Sequence, residues 1–335
     1  MTLVWPVGPD YYFTYREVSR RWLNGDTRLY DANSVGFYNA PWILVLTAPL
    51  SLLPPQLGSG LLNTMSLLIM VVALHLFRQS ERVPVYALAL PLANPHTFDL
   101  LIRGQIDAWI LMGVALGWFA ITNRRPVLLS VALWLMSLKP TNVALVIALF
   151  LWAIRRWSVK DWIQAFSLPL LSLTASGVLV GFDWPVRYWT NLRAHPPLSY
   201  VTTTVWRGAS ILGVPRWPLI LASLAAVAGF VYAARSESLS KQTLSIALAT
   251  NLLITPYALG YHYVVLALVI YCLALSDWRG ALAAYVLTWS PLLRLRWGFD
   301  IAWIDAAYPA VLLGAHWFRF FQRRRRRAIP EATRV

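Results

Sequence analysis

The sequence contains few charged residues and a single cysteine. Asp, Glu, Lys and Arg make up only 13% of the 335 residues, against roughly 25% in an average soluble domain, which excludes an ordinary soluble protein. Because Cys272 has no second cysteine to pair with, an intrachain disulfide is impossible. The five histidines are scattered, so the sequence shows no spacing that is typical of a metal site.

Apolar and aromatic residues dominate instead. Hydrophobic residues form 58% of the chain, the mean hydropathy is +0.55, and there are 18 Trp and 15 Tyr. This composition indicates an all-α, polytopic membrane protein with Trp and Tyr at the two membrane interfaces. The net charge of +15 would suggest a nucleic-acid partner in a soluble chain, but here the basic loops favour topology signals, so we expect membrane lipids and no nucleic acid.

The apolar runs predict about 11 membrane spans, at roughly 20 residues per span. Lys and Arg cluster in alternate loops, which places those loops and the basic tail 320–335 in the cytoplasm. Residues 57–319 then form a multi-pass bundle in the plasma (inner) membrane, with 1–56 and the long loop 181–214 outside. The runs lie at 57–77, 83–95, 106–122, 127–138, 140–154, 162–180, 215–234, 242–259, 261–275, 281–293 and 301–319.

The sequence of the first loop, residues 1–56, predicts two helices that do not span the membrane. The chain begins with neither a signal-peptide pattern nor a full span, so we expect one more span upstream. The segment GPDYYFTYREVSRRWLNGDTRLYD predicts an amphipathic interfacial helix, and the Pro-interrupted run 40–54 predicts a re-entrant or interfacial one. Asp10 stands at an N-cap-like position, so capping is its simplest role.

Proline marks the predicted outer ends of four helices. The residue before a proline is pushed out of helical geometry, and non-helical backbone at membrane depth persists where it is buried in protein or lines a wet cavity. The pattern therefore predicts an extracytoplasmic polar cavity, although simple hairpin turns would explain each proline equally well. The four pairs are Asn94-Pro95, Lys139-Pro140, Thr255-Pro256 and Ser290-Pro291.

Ionisable residues accompany three of these breaks. Lys139 stands between two apolar runs, where a charge costs roughly 2.5–3.5 kcal/mol, so either a phosphate partner or snorkelling to the interface explains it. Asp99, Arg103 and Asp107 would form a salt-bridge ladder on a continuous helix, whereas Gly104 favours close backbone approach and an Arg103 that is free to bind phosphate.

Gln105 and His262 lie at the same predicted cavity. Gln105 directly follows Gly104, and we expect its side chain to face a ligand. His262 follows the Thr255-Pro256 break and is surrounded by tyrosines, so that a structural role and a functional role both remain open for it.

Several motifs, taken together in their order and spacing, resemble the GT-C glycosyltransferases, specifically glycosyltransferase family 87. The motifs are GPDYY with LNGDTRLYD, YNAPWILVLTAPLSLLP, NP with RGQID, SLKPT, and ITPYALGYHYV. The resemblance implies a GT-C-like bundle that takes a sugar from polyprenyl phosphate at an extracytoplasmic site without a cofactor. No D-x-D motif predicts a metal, although Asp10 and Asp107 could together ligate a divalent ion.

The resemblance also implies roles for individual residues. Asp10 matches the family's catalytic base, which replaces the capping interpretation. The expected donor-phosphate ligands are Arg103, Gln105, Lys139 and His262, and further candidates for substrate contacts are Asp107, Tyr261 and Tyr38. The sequence departs from the family pattern at Tyr38-Asn39-Ala40-Pro41, where Y-P-P is usual, at Asp107, where Asn is usual in G-Q-x-N, and at Tyr261, where a His-His pair is usual.

The resemblance implies an inverting transfer of mannose, or another hexose or pentose, from polyprenyl phosphate to a lipid or glycan acceptor. A lipid-linked sugar transporter or flippase would also need a polar cavity and intramembrane charge. Inverted repeats would indicate such a protein, and the sequence shows none beyond the recurring proline turns. A catalytically inactive scaffold of the same fold is the third interpretation.

The charge distribution makes the topology testable by cysteine labelling in intact cells. We expect a membrane-impermeant maleimide to label Ser199→Cys, in the outer loop, and to leave Ala332→Cys, in the basic tail, unlabelled until the cells are permeabilised. The reverse pattern would show that the topology is inverted and would remove the basis for an outer cavity.

Overall fold

The fold is all-helical in a computed structural model of the chain. The structure describes residues 6–30, 37–78, 84–196, 202–237 and 239–328, and no strand occurs within these ranges. The all-α prediction is therefore confirmed for the described residues. Ser199, the outer-loop position proposed for labelling, lies outside them.

Seventeen α-helices occur in the described part of the chain. They are α1 (Glu17–Leu23), α2 (Leu44–Ser51), α3 (Pro55–Arg78), α4 (Val85–Leu92), α5 (Pro95–Arg103), α6 (Asp107–Thr122), α7 (Pro126–Met136), α8 (Ala144–Ala153), α9 (Val159–Val180), α10 (Trp184–Ala194), α11 (Val205–Ile211), α12 (Arg216–Glu237), α13 (Lys241–Ile254), α14 (Ala267–Ala274), α15 (Trp278–Leu287), α16 (Arg294–Trp297) and α17 (Ala307–Ala328). Short 3-10 segments precede α2, α8, α14 and α17.

The helices are arranged around a few that are almost wholly buried. α6 packs against α3 and α7, and α13 packs against α8, α12 and α17. Every residue of α13 from Gln242 to Leu252 is buried. In contrast, α9 and α12 expose large apolar side chains such as Leu171 and Leu224. Exposed apolar faces of this extent are typical of helices that contact lipid.

Each of the eleven predicted runs contains a helix, but among the described residues only three helices are both long and apolar enough to cross a membrane. These are α3, α9 and α12. Four of the other helices are short because the chain leaves helical geometry next to a proline pair: α4 ends at Leu92, α7 at Met136, α13 at Ile254 and α15 at Leu287. Three spans are thus supported by length and hydropathy, and the total of about 11 stays a prediction.

The first loop contains both of the helices expected there. The 3-10 turn Pro41–Ile43 and α2 together reach only about 16 Å at 1.5 Å per residue, which is too short to cross a bilayer. The other helix, here called the N-terminal helix, runs from residue 9 to 23 and has the wider π geometry over Tyr11–Arg16. Two of its three tyrosines, Tyr11 and Tyr15, are buried, whereas Tyr12 and Phe13 are exposed.

Two glycines let the N-terminal helix approach the end of α5 closely. Gly104 has φ +69°, a left-handed conformation that side chains other than glycine rarely adopt. A Cβ atom on Gly104 would lie 2.7 Å from Cβ of Tyr11, and one on Gly8 would lie 2.5 Å from the carbonyl oxygen of Arg103. The absence of side chains at both positions is therefore what brings Asp10 next to the α5–α6 junction.

Substitution of Gly104 tests this close approach against a matched control. Gly213 has nearly the same φ, +68°, but a Cβ atom there would meet no neighbouring atom within 4 Å. We expect Gly213→Ala to cost about 1–2 kcal/mol from backbone strain alone, and Gly104→Ala to cost about 1–3 kcal/mol more from the contact with Tyr11. Thermal unfolding in detergent measures both variants, and equal losses in Tm would show that the contact does not matter.

Candidate functional site

Three helix breaks meet at one site, together with the N-terminal helix, and two of the three contain a proline pair. The breaks are the α5–α6 junction, the Lys139-Pro140 turn before α8, and the 3-10 segment Gly260–Leu266 before α14. Side chains from all three contact one another through hydrogen bonds and ring contacts, as described below. The other two proline-marked breaks are linked to each other, because the hydroxyl of Tyr285, close to the end of α15, donates to the carbonyl oxygen of Ala93, which precedes Asn94-Pro95.

The break at Gly104 separates two charges that a continuous helix would place in one ladder. Arg103 ends α5, and its Nε donates to Oδ1 of Asp99 at 2.8 Å. Asp107 begins α6, after a turn that changes the direction of its side chain, and it pairs with Lys139 instead. The predicted Asp99–Arg103–Asp107 salt-bridge ladder is therefore confirmed for Asp99 and Arg103 and is wrong for Asp107.

Lys139 and Asp107 form a buried ion pair. The Lys139 Nζ donates to Oδ2 of Asp107 at 2.8 Å, and the Asp107 side chain is fully buried. Asn142, in the 3-10 turn Pro140–Asn142, donates to the other carboxylate oxygen, also at 2.8 Å. Both oxygens of Asp107 thus accept a hydrogen bond, as a buried carboxylate requires.

Gln105 connects this ion pair to the N-terminal helix. Its Oε1 accepts hydrogen bonds from Lys139 Nζ and from the hydroxyl of Tyr15, both at 2.7 Å. Its Nε2 donates to Oδ2 of Asp10, again at 2.7 Å. A chain of side-chain hydrogen bonds therefore runs from Asn142 to Asp10 across three separate segments of the sequence.

Asp10 does not cap the N-terminal helix. It has helical backbone angles and its side chain makes no capping hydrogen bond, so the capping interpretation is wrong. The carboxylate is partly exposed, and the hydrogen bond to Oδ2 comes from Gln105. Among the described residues, none donates to Oδ1, which leaves that oxygen available to a ligand.

Asp26, the next acid in the first loop, is held differently. Arg21 donates to its Oδ2 through Nε and Nη2, and the backbone N–H of Arg28 donates to its Oδ1. These bonds, with that of Arg21 the largest, lower the pKa of Asp26 to about 2. A carboxylate with so low a pKa is a weak base, which favours Asp10. Asp31, another acid of this loop, lies outside the described residues.

The Tyr261 ring contacts the two cations of the site, and His262 packs against Tyr261. The Lys139 Nζ lies 4.9 Å from the centre of the Tyr261 ring, and the Arg103 guanidinium carbon lies 5.8 Å from it, both within the range of cation–π contacts. His262 packs against the Tyr261 ring at 4.5 Å. The backbone N–H of Leu259 donates to Nδ1 of His262 at 3.2 Å, so the ring is anchored on its own turn.

Tyr38 is held outside the chain of hydrogen bonds around Gln105. Its hydroxyl donates to the carbonyl oxygen of His195 at 2.7 Å, and its own carbonyl accepts from the hydroxyl of Tyr188. These contacts link the first loop to α10 and to the residues that follow it. Of the eight site residues expected from the sequence, Tyr38 is thus the one with a different set of partners.

Two residues of the hydrogen-bond network around Gln105 and Asp107, Tyr15 and Asn142, were not predicted from the sequence. Asn142 lies three residues after Lys139 in SLKPTN, so a polar residue in a helix break was a signal that could have identified it. Tyr15 offered no such signal, because a tyrosine in an amphipathic helix is also expected to rest on lipid.

Within the described residues, no group of three or more His, Cys, Asp or Glu side chains is arranged to hold a metal ion.

Comparison with known families adds one finding. The family model described as glycosyltransferase family 87 matches residues 37–256. The chain belongs to glycosyltransferase family 87. The match includes Arg103, Gln105, Asp107 and Lys139, whereas Asp10 and His262 lie on either side of it. Comparison with curated proteins and with solved structures gave no match.

The buried ion pair makes a prediction about stability. Lys139→Met leaves the Asp107 carboxylate buried without its partner, which should destabilise the protein by about 3–5 kcal/mol. The double variant Lys139→Met/Asp107→Asn removes both charges and should recover most of that loss. Thermal unfolding in detergent measures the three proteins, and a double variant that is no more stable than Lys139→Met would contradict the pairing.

Proposed function

We propose that the protein is an inverting membrane glycosyltransferase that uses a polyprenyl-phosphate sugar as donor and a hydroxyl group of a lipid or glycan as acceptor. The observation that carries the proposal is the Asp10 carboxylate, which has one oxygen held by Gln105 and the other available, close to two cationic side chains. Family membership supplies glycosyl transfer as the reaction class. The donor, the acceptor and the stereochemistry are our inference from the chemistry of the site.

Asp10 is the proposed general base. The acceptor hydroxyl gives its proton to Oδ1 of Asp10 while its oxygen forms a bond to the anomeric carbon on the face opposite the phosphate. The bond from that carbon to the phosphate oxygen breaks, and the electron pair leaves with the polyprenyl phosphate. A positioned carboxylate typically contributes about 10²–10⁴-fold to such a step. The leaving phosphate needs no cofactor to depart, since it is already a stable anion.

Arg103 is the proposed ligand for the donor phosphate. Only its Nε is used by Asp99, and among the described residues no carboxylate, carbonyl or hydroxyl accepts from Nη1 or Nη2. Those two groups are the ones that can donate in parallel to two phosphate oxygens. The guanidinium therefore supplies charge where the leaving group becomes more negative, which lowers the barrier.

An apolar groove supports a donor with a long hydrocarbon chain. The groove holds about 260 Å³ and lies between the N-terminal helix, α2 and α9, with Trp22, Trp42 and Leu179 in its wall. Trp22 and Asp10 are on the same helix, about 18 Å apart along its axis. A prenyl chain bound in this groove would therefore lie within reach of a head group at Asp10.

We also propose that the site faces the outside of the plasma membrane. The alternating positive charge of the loops favours a first loop on the outer side, and the N-terminal helix with Asp10 is part of that loop. A polyprenyl-phosphate sugar presented in the outer leaflet would bring its phosphate to the same level.

A transfer assay on purified protein tests the function and the base together. With radiolabelled polyprenyl-phosphate mannose, arabinose or glucose and a membrane-lipid acceptor fraction, we expect wild-type protein to form a new glycoside. Asp10→Asn should lower the rate by roughly a hundredfold or more, because the amide still accepts from Gln105 but takes up no proton.

Asp26→Asn serves as the control, since it changes a neighbouring acid of the same loop and should retain transfer. A wild-type protein that moves the donor across a vesicle membrane without forming a glycoside would favour the transporter alternative. Wild-type turnover in Asp10→Asn would show that the base lies elsewhere.

A further inference from the structure

The amide of Gln105 makes three hydrogen bonds with protein groups. Its Nε2 donates to Asp10, and its Oε1 accepts from both Lys139 and Tyr15, each at 2.7 Å. An amide oxygen has two lone pairs, so Oε1 has no capacity left for a ligand. A phosphate oxygen accepts hydrogen bonds, so it could contact only Nε2, where one of the two N–H groups is already held by Asp10.

The direction of every hydrogen bond in the chain is set by chemistry. A lysine ammonium only donates, so the Gln105 atom that faces Lys139 has to be the oxygen. The nitrogen then faces Asp10, and an ionised carboxylate only accepts. The orientation of the Gln105 amide is therefore fixed by its two charged neighbours.

We propose that Gln105 is a positioning residue that holds Oδ2 of Asp10 so that Oδ1 is the oxygen that takes the acceptor proton. Lys139 and Tyr15 in turn hold Gln105, and this is their role in place of binding the phosphate. The inference rests on the proposed function and deepens it, since it assigns the proton transfer to one atom and leaves phosphate binding to Arg103.

The residues that hold Gln105 in this chain of hydrogen bonds are buried and have little freedom to move. Asp107 is fully buried, Tyr15 is 1% exposed, and the Lys139 side chain is 12% exposed. Asn142 and Lys139 occupy both oxygens of Asp107. Positions that are fixed by several short hydrogen bonds transmit small displacements, and a shift of about 1 Å in a catalytic group costs roughly a hundredfold in rate.

Steady-state kinetics separate positioning from phosphate binding. We expect Gln105→Leu to lower kcat by roughly a hundredfold and to change the donor KM by less than about threefold, because donor contacts remain. When the chemical step is slow, KM approaches the dissociation constant of the donor. Arg103→Gln is the comparator, and here the donor KM should rise by more than tenfold, as expected for loss of a charged phosphate ligand.

Tyrosine variants in the N-terminal helix supply a matched pair. Tyr15→Phe removes only the hydroxyl that donates to Gln105, and Tyr11→Phe removes only the hydroxyl that donates to the carbonyl oxygen of Leu50 at 2.8 Å. Both tyrosines are fully buried, one turn apart. We expect a fall in kcat of roughly tenfold for Tyr15→Phe and a kcat within twofold of wild type for Tyr11→Phe.

The role of Lys139 is tested in the charge-balanced double variant Lys139→Met/Asp107→Asn, which avoids a lone buried carboxylate. We expect it to behave like Gln105→Leu, with a low kcat and an almost unchanged donor KM. The proposal is overturned if kcat stays within threefold of wild type in Gln105→Leu, in Tyr15→Phe or in the double variant. It is also overturned if, in any of these three variants, the donor KM rises by a larger factor than kcat falls.

A loss in Tyr11→Phe that equals the loss in Tyr15→Phe would also overturn it, because the effect would then come from the packing of the helix. These outcomes are distinct from failure of the proposed function, in which the wild-type protein itself forms no glycoside.

Discussion

The buried ion pair between Lys139 and Asp107 is the interaction on which the arrangement of the site depends. Neither charge is stable in this position alone, since the cost of removing an ion from water is recovered only by a close partner and by further hydrogen bonds. The pair fixes the start of α6 against the turn that precedes α8. Through Gln105 the same pair reaches the N-terminal helix, so the location of Asp10 follows from a contact between two other segments.

The broken helices are what make this pairing available. A continuous helix through residues 95–122 would use its backbone groups internally and would place Arg103 and Asp107 on one face. The left-handed turn at Gly104 ends α5 and lets α6 begin with a new direction for its side chains. As a consequence, few helices reach the length of a full span. Length and hydropathy therefore identify only three candidate membrane spans in the described part of the chain.

The sequence predicted the helical class, the helix breaks and most of the residues at the site, because each of these has a local cause. Proline restricts the residue before it, and a charge in an apolar run has few explanations. The partners of those charges were not predictable in the same way. A continuous helix would place Asp107 on the same face as Arg103, and Asp107 pairs with Lys139 instead, after a left-handed turn at Gly104 that packs closely against Tyr11, far away in the sequence.

The ion pair also has a consequence for how the protein enters the membrane. Lys139 is made 32 residues after Asp107, and α7 lies between them and packs against α6. If α6 entered the bilayer by itself, the carboxylate of Asp107 would have no cation nearby, at a cost of about 2.5–3.5 kcal/mol. If α6 and α7 both span the membrane, as the sequence predicts, their insertion together as a hairpin that closes once Lys139 has left the ribosome would neutralise the charge during synthesis.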